Sequence, residues 1–457
     1  MSTSPVTSST DQVSATQAIA QRILSLGQDA LAPDIAQVGK QCILDWFGVA
    51  LNAKHDPLVE ILVDQATEDG PGKGASVLGR KGGFSPRQAA LINGAMGHAI
   101  DYDDAHLAAL GHATAAVLPG VLALAEQRHA SGEALLRAFV AGYEAMAMAG
   151  VYVGQSHYDH GFHGTGTVGA IGAAAACGVL LGQDAPTLAR TLGIAATQAA
   201  GLKAQFGTMC KPLHAGKASE NGLLAAQLAQ RGFSGRTDIF ECAQGFAQTL
   251  GRGETPPESL IKVDGVAHIR DTLFKFDAAC YGTHAAIGAA RRLQREHGLQ
   301  AQDIEAVTVT LEASLDRMCN IPKPGSGLEA KFSVRFNVAL ALAGEDTASP
   351  DTYTDEITAR PELVQLRDRI QVVPAEPGVQ RMSSIVTVRL RDGRQFSASH
   401  DTSVPAQDLV AQGEQLLNKF LRLCAPVVGA ENAQQLAQSI LNIESLKDVA
   451  VLADFTR

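Results

Sequence analysis

Residues 157–169 read His157-Tyr158-Asp159-His160-Gly161-Phe162-His163-Gly164-Thr165-Gly166-Thr167-Val168-Gly169, and the fold turns on what the last three glycines are for. Their spacing matches GxGxxG, the dinucleotide fingerprint. That fingerprint works only when an apolar strand precedes it, a helix follows it, and an acidic ribose partner comes about 20 residues later. Here the preceding residues are polar and aromatic and make no strand. The small residues continue through Gly172 and Ala173–Ala176. The segment therefore reads as the start of a closely packed helix, and the chain as mainly α.

Working outward, helical periodicity dominates from Val13 to Leu260. Ile35–Leu51 carries Val38, Cys42, Ile43, Trp46, Val49 and Ala50 at helical spacing. Further helices are expected at Pro86–Ile100, Ala115–His129, Glu133–Val153, Gly166–Leu181, Ala185–Gln198, Ala218–Arg231 and Ile239–Thr249. The character changes near Lys262–Ile269. Val307-Thr308-Val309-Thr310-Leu311 alternates and is β-branched, as a strand should be. Ile385–Leu390 and Gln395–Ala398 flank Arg391-Asp392-Gly393-Arg394 and predict a hairpin, with Ile370–Val373 a further strand. Helices are expected between them at Tyr281–His297 and Leu328–Ala343, and after them at Ala406–Cys424 and Ala433–Asn442. The expected architecture is a large helical domain made by both chain ends (16–268 and 403–457), with a smaller α+β domain (269–402) inserted between them. Residues 1–15, rich in Ser and Thr, read as a disordered tail and not as a signal or transit peptide.

Composition agrees with a globular chain. Of its 457 residues 46% are hydrophobic and 18% charged, with only 5% aromatic and 45 glycines, which favours tight helix crossings. A net charge of −10 offers no basic field for nucleic acid. The apolar runs Ile171–Leu181 and Asn337–Gly344 are too short to demand a membrane. Seven scattered cysteines with no CxxC pair argue against a disulfide framework or zinc site and point to the cytoplasm.

Three polar clusters interrupt this scaffold: His98 to His112, including Asp101, Asp103, Asp104 and His106; His157 to His163; and Lys211-Pro212-Leu213-His214 leading to Lys217. Imidazoles, carboxylates, a phenol and amines are proton-transfer groups, and here they fall at helix ends. Three aspartates could hold magnesium, but the accompanying histidines favour a carboxylate that orients an imidazole or contacts substrate. His157, His160 and His163 suit acid/base chemistry better than a metal, since a zinc site usually wants a tighter pair or added thiolates. Lys211 can anchor a carboxylate as a point charge. Lys275, Cys280 and His284 open the inserted domain; Cys280 could be a nucleophile, although most cysteines are simply buried.

Four stretches in order, His98-Ala99-Ile100-Asp101-Tyr102-Asp103-Asp104, Gly161-Phe162-His163-Gly164-Thr165, Lys211-Pro212-Leu213-His214-Ala215-Gly216-Lys217-Ala218 and Gly327-Leu328-Glu329-Ala330-Lys331-Phe332-Ser333, resemble the MmgE/PrpD family over Ala18 to Leu446. Its members include 2-methylcitrate dehydratase, cis-aconitate decarboxylase and iminodisuccinate epimerase. The resemblance implies a helical domain with an α+β lid, a homodimer, and a site between the two domains that needs no metal or organic cofactor. It puts Asp101, His112, His163 and Lys211 at active-site positions and Tyr158 at that of an epimerase tyrosine. It also marks three departures from the decarboxylase pattern: Ala105 for a threonine, Cys280 for a histidine and Phe336 for a tyrosine. All three fall at expected substrate-contacting positions. The function expected is a hydratase/dehydratase acting on a small di- or tricarboxylate, with an epimerase or a cis-aconitate-type decarboxylase as alternatives. Lys211 and His112 would bind carboxylate, His163 would move the proton with Tyr158 as its opposite partner, and Asp101 would set a histidine's tautomer. A binding protein without turnover is the non-enzymatic rival.

Overall fold

The glycine run at residues 164–178 forms the buried centre of a helical assembly. The structure, a computed structural model, describes residues 14–251, 267–319, 321–376 and 382–457. Most of the expected tail (residues 1–13) and most of the expected change of character (residues 262–266) lie outside them. Ala15, assigned to the tail, instead opens the first helix, which Ser14 caps by accepting from the Gln17 N–H.

The first part of the chain forms α1 (Ala15–Gln28), α2 (Pro33–Asn52), α3 (Pro57–Glu68), α4 (Pro86–Met96), α5 (Ala113–Arg128), α6 (Gly132–Asp159), α7 (Gly164–Leu180), α8 (Ala185–Ala196), α9 (Cys210–Gln230) and the short α10 (Phe246–Leu250). Next come α11 (Tyr281–His297), β1 (Ile304–Leu311), α12 (Ala313–Cys319), α13 (Gly327–Ala330), α14 (Val334–Ala343), α15 (Asp355–Thr358), α16 (Pro361–Arg367), β2 (Ile370–Pro374), β3 (Ser383–Leu390) and β4 (Gln395–Asp401). The chain ends with α17 (Leu409–Val428), α18 (Ala430–Leu441) and α19 (Val451–Asp454).

α7 is apolar on every side, which a helix can be only when neighbours surround it, and it packs against α5, α6, α8 and α9. The fingerprint glycines are contact points. A methyl on Gly164 would meet the Leu110 carbonyl oxygen at 2.3 Å, one on Gly166 the Ala200 oxygen at 2.2 Å, and one on Gly169 the Ala116 Cβ at 2.8 Å. α6 is long and apolar enough to cross a membrane, but most of its apolar window is buried inside the assembly. It is broken at Gly154 (φ 75°, ψ 171°), so its last turn, with His157 and Tyr158, leaves the axis of the first part.

The four strands form one mixed sheet in the order β2-β1-β3-β4. β1 and β2 are parallel, and the pairs β1/β3 and β3/β4 are antiparallel. The β3–β4 hairpin turns through Arg391-Asp392-Gly393, with Gly393 in the left-handed region (φ 89°) that a three-residue loop requires at its end. α11 covers β3 and β4, and α14 packs on α11 and β2. Two hydrophobic cores result. The larger draws on the helices up to Phe276 together with α17 and α18. The smaller spans Ala278 to the sheet and takes in Val49, Tyr102 and Leu423 from the larger unit. Lys419 of α17 ties the two, donating to Asp45 (2.7 Å) and to the Tyr102 and Lys275 carbonyls (2.7 and 2.8 Å).

Three helix expectations need correction. α9 begins eight residues before Ala218. Pro212 is tolerated there because the first-turn N–H groups have no intrahelical partner anyway. The Ile239–Thr249 helix shrinks to α10, since Gln244 takes a positive φ (58°) and Gly245 is extended. Leu328–Ala343 splits at Lys331–Ser333. Asn337 Nδ2 donates to the Ala330 and Ser333 carbonyls, and Ser333 caps α14.

A methyl at position 172, mid-α7, would come within 2.8 Å of the Gly142 carbonyl oxygen and 2.7 Å of Met146 Cβ. Gly172→Ala is therefore expected to destabilise the fold by about 1–3 kcal/mol, as overpacking does, read as a lower urea midpoint with an unchanged slope.

Candidate active site

Four helices start at one cleft. His112 is the N-cap of α5 and His163 of α7; Lys211 lies in the first turn of α9, and Cys280 is the N-cap of α11. Each helix start presents unpaired N–H groups and a partial positive charge. The cleft takes its polar groups from His106, His112, Tyr158, His163, Lys211 and Cys280. Ala105, Leu107, Leu110, Phe206, Met318 and Met382 supply most of its apolar wall.

Behind this wall lies a buried network centred on Asp101. The chain leaving α4 winds through turns, and Asp101 adopts φ 52°, a left-handed conformation that Asp enters more readily than most residues. Its Oδ1 accepts from Lys211 Nζ (2.9 Å) and Lys275 Nζ (2.7 Å), and its carbonyl accepts from Lys275 as well (2.8 Å). Burial alone would raise the Asp101 pKa, but Lys211 and Lys275 outweigh it and hold the carboxyl well below its ordinary range. Lys331, buried in the break before α14, donates to the Ile100 carbonyl (2.6 Å); burial brings its pKa down to about 8.

Asp103, and not Asp101, is the carboxylate that meets imidazole nitrogens at hydrogen-bonding range, which corrects the expected role of Asp101. Asp103 Oδ1 lies 2.8 Å from His98 Nδ1, and its Oδ2 lies 3.3 Å from His112 Nδ1. His112 Nδ1 also faces the Asp104 carbonyl at 2.8 Å. Because these partners only accept, both histidines carry their proton on Nδ1. His98 Nε2 then accepts from Lys211 (3.0 Å), and His112 Nε2 is left with a lone pair, 3.9 Å from Asp101 Oδ1. Burial lowers the His98 pKa to about 3 and lowers that of His112, with Asp103 opposing the shift in both cases. Asp104 instead accepts from Thr114 (2.7 Å) and is raised to about 7, by burial and then by the neighbouring Asp103 charge.

His163 is in a different environment. Its Nδ1 lies 3.0 Å from His214 Nδ1, so one ring donates to the other, and Phe206 stands edge-on at 4.9 Å. Burial, then Lys211, pushes its pKa well down. Tyr158 lines the same cleft with its hydroxyl on Met318 Sδ (2.8 Å) and the Lys203 ammonium over its ring.

Of the residues singled out by sequence, the cleft brings together Ala105, His112, Tyr158, His163, Lys211 and Cys280, with Asp101 directly behind Lys211. Phe336 does not line it; it is fully buried within the smaller core. The even spacing of His157, His160 and His163 does not make a cluster. His157 is spent on the Leu250 carbonyl and Thr167, and His160 is exposed. Lys217 pairs with Glu220 at the surface. The partners absent from the sequence reading of the site are Asp103, Lys275, Lys331 and His214 in their actual roles. Lys275 and Lys331 carried one local signal, a lysine inside an apolar stretch.

His98, Asp101, Asp103 and His112 offer ligand atoms within 4.8 Å of one another, the donor set a divalent cation could use. Two ammonium groups already occupy Asp101 Oδ1, and Lys211 also donates to His98 Nε2. Asp101 Oδ1 and His98 Nε2 are thus engaged, and the two ammonium groups beside them oppose a further cation. These residues do not fit a metal.

The chain matches the MmgE/PrpD N-terminal domain over residues 17–259 and the MmgE/PrpD C-terminal domain over residues 278–445. It belongs to the MmgE/PrpD family. It is 28% identical to a cis-aconitate decarboxylase of Aspergillus terreus, covering 94% of this chain and 93% of that protein. It is 27% identical to the cis-aconitate decarboxylase of Mus musculus over 96% of this chain and 92% of that protein. To the 2-methylcitrate dehydratase of Cupriavidus necator it is 25% identical, over 80% of each.

Asp101→Asn would leave two buried ammonium groups without their shared carboxylate. Breaking a buried pair from one side typically costs about 3–5 kcal/mol. The expected outcome is a loss of that size in urea unfolding; an unchanged midpoint would mean that Lys211 and Lys275 find other partners.

Proposed function

We propose that the protein is a lyase that needs no cofactor and acts on a small di- or tricarboxylate by moving a proton next to a carboxylate, in the manner of a dehydratase. One observation carries the reading. Two imidazoles, His112 and His163, face the same cleft with ring centres 6.5 Å apart, the first backed by the Asp103 carboxylate and the second only by the His214 ring. Titratable groups set apart in this way divide into acid and base.

His163, without a carboxylate at its ring and held neutral by burial and by Lys211, takes the proton from the carbon next to the substrate carboxylate. The electron pair released from that C–H bond is held on the carboxylate as an enolate-like dianion, which Lys211 and the helix N-termini stabilise. As the pair returns to form the double bond, the C–O bond breaks. His112, whose free Nε2 takes up a proton as the anionic substrate binds and whose imidazolium Asp103 and Asp101 then support, hands that proton to the departing hydroxyl to give water. Tyr158 stands as the opposite partner of His163. Residues 269–402 act as a lid and the chain works as a homodimer. Ala105 and Cys280 line the cleft, and their small side chains suit a substrate with a hydrocarbon substituent.

A second reading has a specific observation behind it: the decarboxylase relatives match over nearly the whole chain. In decarboxylation a C–C bond breaks to release CO₂, and the same imidazolium would protonate the resulting carbanion.

Incubating the EDTA-treated protein in D₂O with a panel of di- and tricarboxylates, followed by proton NMR, separates these readings. Loss of water supports the dehydratase; loss of CO₂ identifies a decarboxylase; deuterium entering a stereocentre without either identifies an epimerase. No exchange with any substrate overturns the enzymatic reading. His163→Gln should lower kcat by about 10²–10⁴-fold with little change in thermal stability. The base must be neutral to act, and its pKa is depressed. The acid limb of kcat/KM should therefore fall below the ordinary histidine value of about 6.5, and a limb above it would exclude His163 as the base.

A further inference from the structure

The cleft has a neighbour. A second hollow is lined by Lys203, Phe206, Met318, Ile321 and Phe332, and two of these, Phe206 and Met318, also line the cleft. Tyr158, His163 and Lys211 border the cleft only, whereas Lys203, Ile321 and Phe332 border the hollow only. Phe206 and Met318 therefore stand between the two spaces.

Both are held in place. Phe206 ends a strap that begins at Gly201. The Gly201 carbonyl accepts from the His163 N–H (3.0 Å), the Lys203 N–H donates to the Gly161 carbonyl (2.8 Å), and the Phe206 N–H donates to the Lys203 carbonyl (3.0 Å). The Phe206 ring stands edge-on to His163 at 4.9 Å and 6.0 Å from Phe332, and the Lys211 ammonium lies 5.5 Å from its centre. Met318 is held by the Tyr158 hydroxyl, which donates to Sδ at 2.8 Å. At the hollow, Lys203 Nζ donates to the Tyr158 carbonyl (2.8 Å) and lies 3.8 Å from the centre of the Tyr158 ring, so a positive charge is fixed at that edge.

We infer that Phe206 and Met318 decide which acids the protein accepts, by closing the cleft at a fixed length of carbon chain. The hollow behind them, with Lys203 at its edge, would hold the second carboxylate of a longer acid once either side chain is cut back. The inference rests on the reading that the cleft takes a carboxylate on Lys211. An acid anchored there and directed at the partition buries its methylenes against an apolar wall until it reaches Phe206 and Met318. One carbon more must displace a side chain that its neighbours hold, and forcing extra volume into a packed site is unfavourable. The same contacts tie length to chemistry: a chain that pushes Phe206 or Met318 aside also disturbs His163 or Tyr158.

Calorimetry on the full-length protein with the straight-chain dicarboxylates from malonate to suberate tests this without turnover. The unmodified protein should bind a short member best and suberate about tenfold more weakly or worse. Met318→Ala and Phe206→Ala, each checked by thermal unfolding, should move the optimum to a longer acid, with a gain of about fourfold for each methylene admitted. Lys203→Gln in the Met318→Ala protein should remove the gain with the longest acids and leave the short ones bound. Leu107→Ala trims a cleft residue that does not border the hollow, and should leave the optimum where it is. An unchanged optimum in both partition variants, an equal shift in Leu107→Ala, or loss of all binding in both partition variants overturns the inference and leaves the lyase reading standing. Failure of every acid to bind the unmodified protein overturns both.

Discussion

The Asp101 carboxylate, shared between Lys211 and Lys275, is the interaction on which the rest of the site depends. It joins three parts of the chain that are far apart in sequence: the turn after α4, the first turn of α9 and the segment entering α11. Two ammonium groups and one carboxylate leave a net positive charge in a buried place, which the nearby Asp103 carboxylate helps to offset. Lys211 is thereby held at the cleft with two of its three donors committed, to Asp101 and His98. One donor remains for a ligand. A chain with a net charge of −10 thus concentrates positive potential at one place, and four converging helix starts add to it.

The same design separates the histidines. His98 and His112 share Asp103, while His163 shares only His214. For His98 and His112 the Asp103 carboxylate and the Asp104 carbonyl already fix the tautomer, whereas His163 and His214 share one proton between their facing nitrogens. Chemically similar side chains are given different jobs by what lies behind them and not by what they are.

Much of this was legible in the sequence, for identifiable reasons. Helix α2 and helix α11 were readable because their apolar spacing is regular, and β1 and β3 because they alternate with β-branched residues. The glycine fingerprint was readable as helix packing because no strand precedes it. Helix ends were less legible where a local polar competitor decided the matter. Asn337 taking the Ala330 and Ser333 carbonyls is a tertiary choice with no local pattern, and so is the positive φ of Gln244. Within the site, the residues at the cleft could be found from their chemistry and from the family resemblance. The division of labour between Asp101 and Asp103 could not. Two aspartates two positions apart in a turn differ only in which way the backbone aims them, and the left-handed φ of Asp101 sets that aim. Lys275 and Lys331 belong to the same class, since their partners lie on the other side of the chain.

The break in α6 has a consequence for how such a protein can change over time. Up to Gly154 the helix is locked into the core by its neighbours, and any rotation about its axis would disturb α1, α5 and α7 together. Past Gly154 the chain has left that axis, so the turn bearing Tyr158 is held to the scaffold by point contacts, such as His157 on Thr167 and the Leu250 carbonyl, and not by continuing the helix. Insertions or swaps beyond the break can re-aim cleft residues without shifting the register of the interior. New specificities can therefore arise on an unaltered frame, with a single glycine as the hinge between what must be kept and what is free to drift.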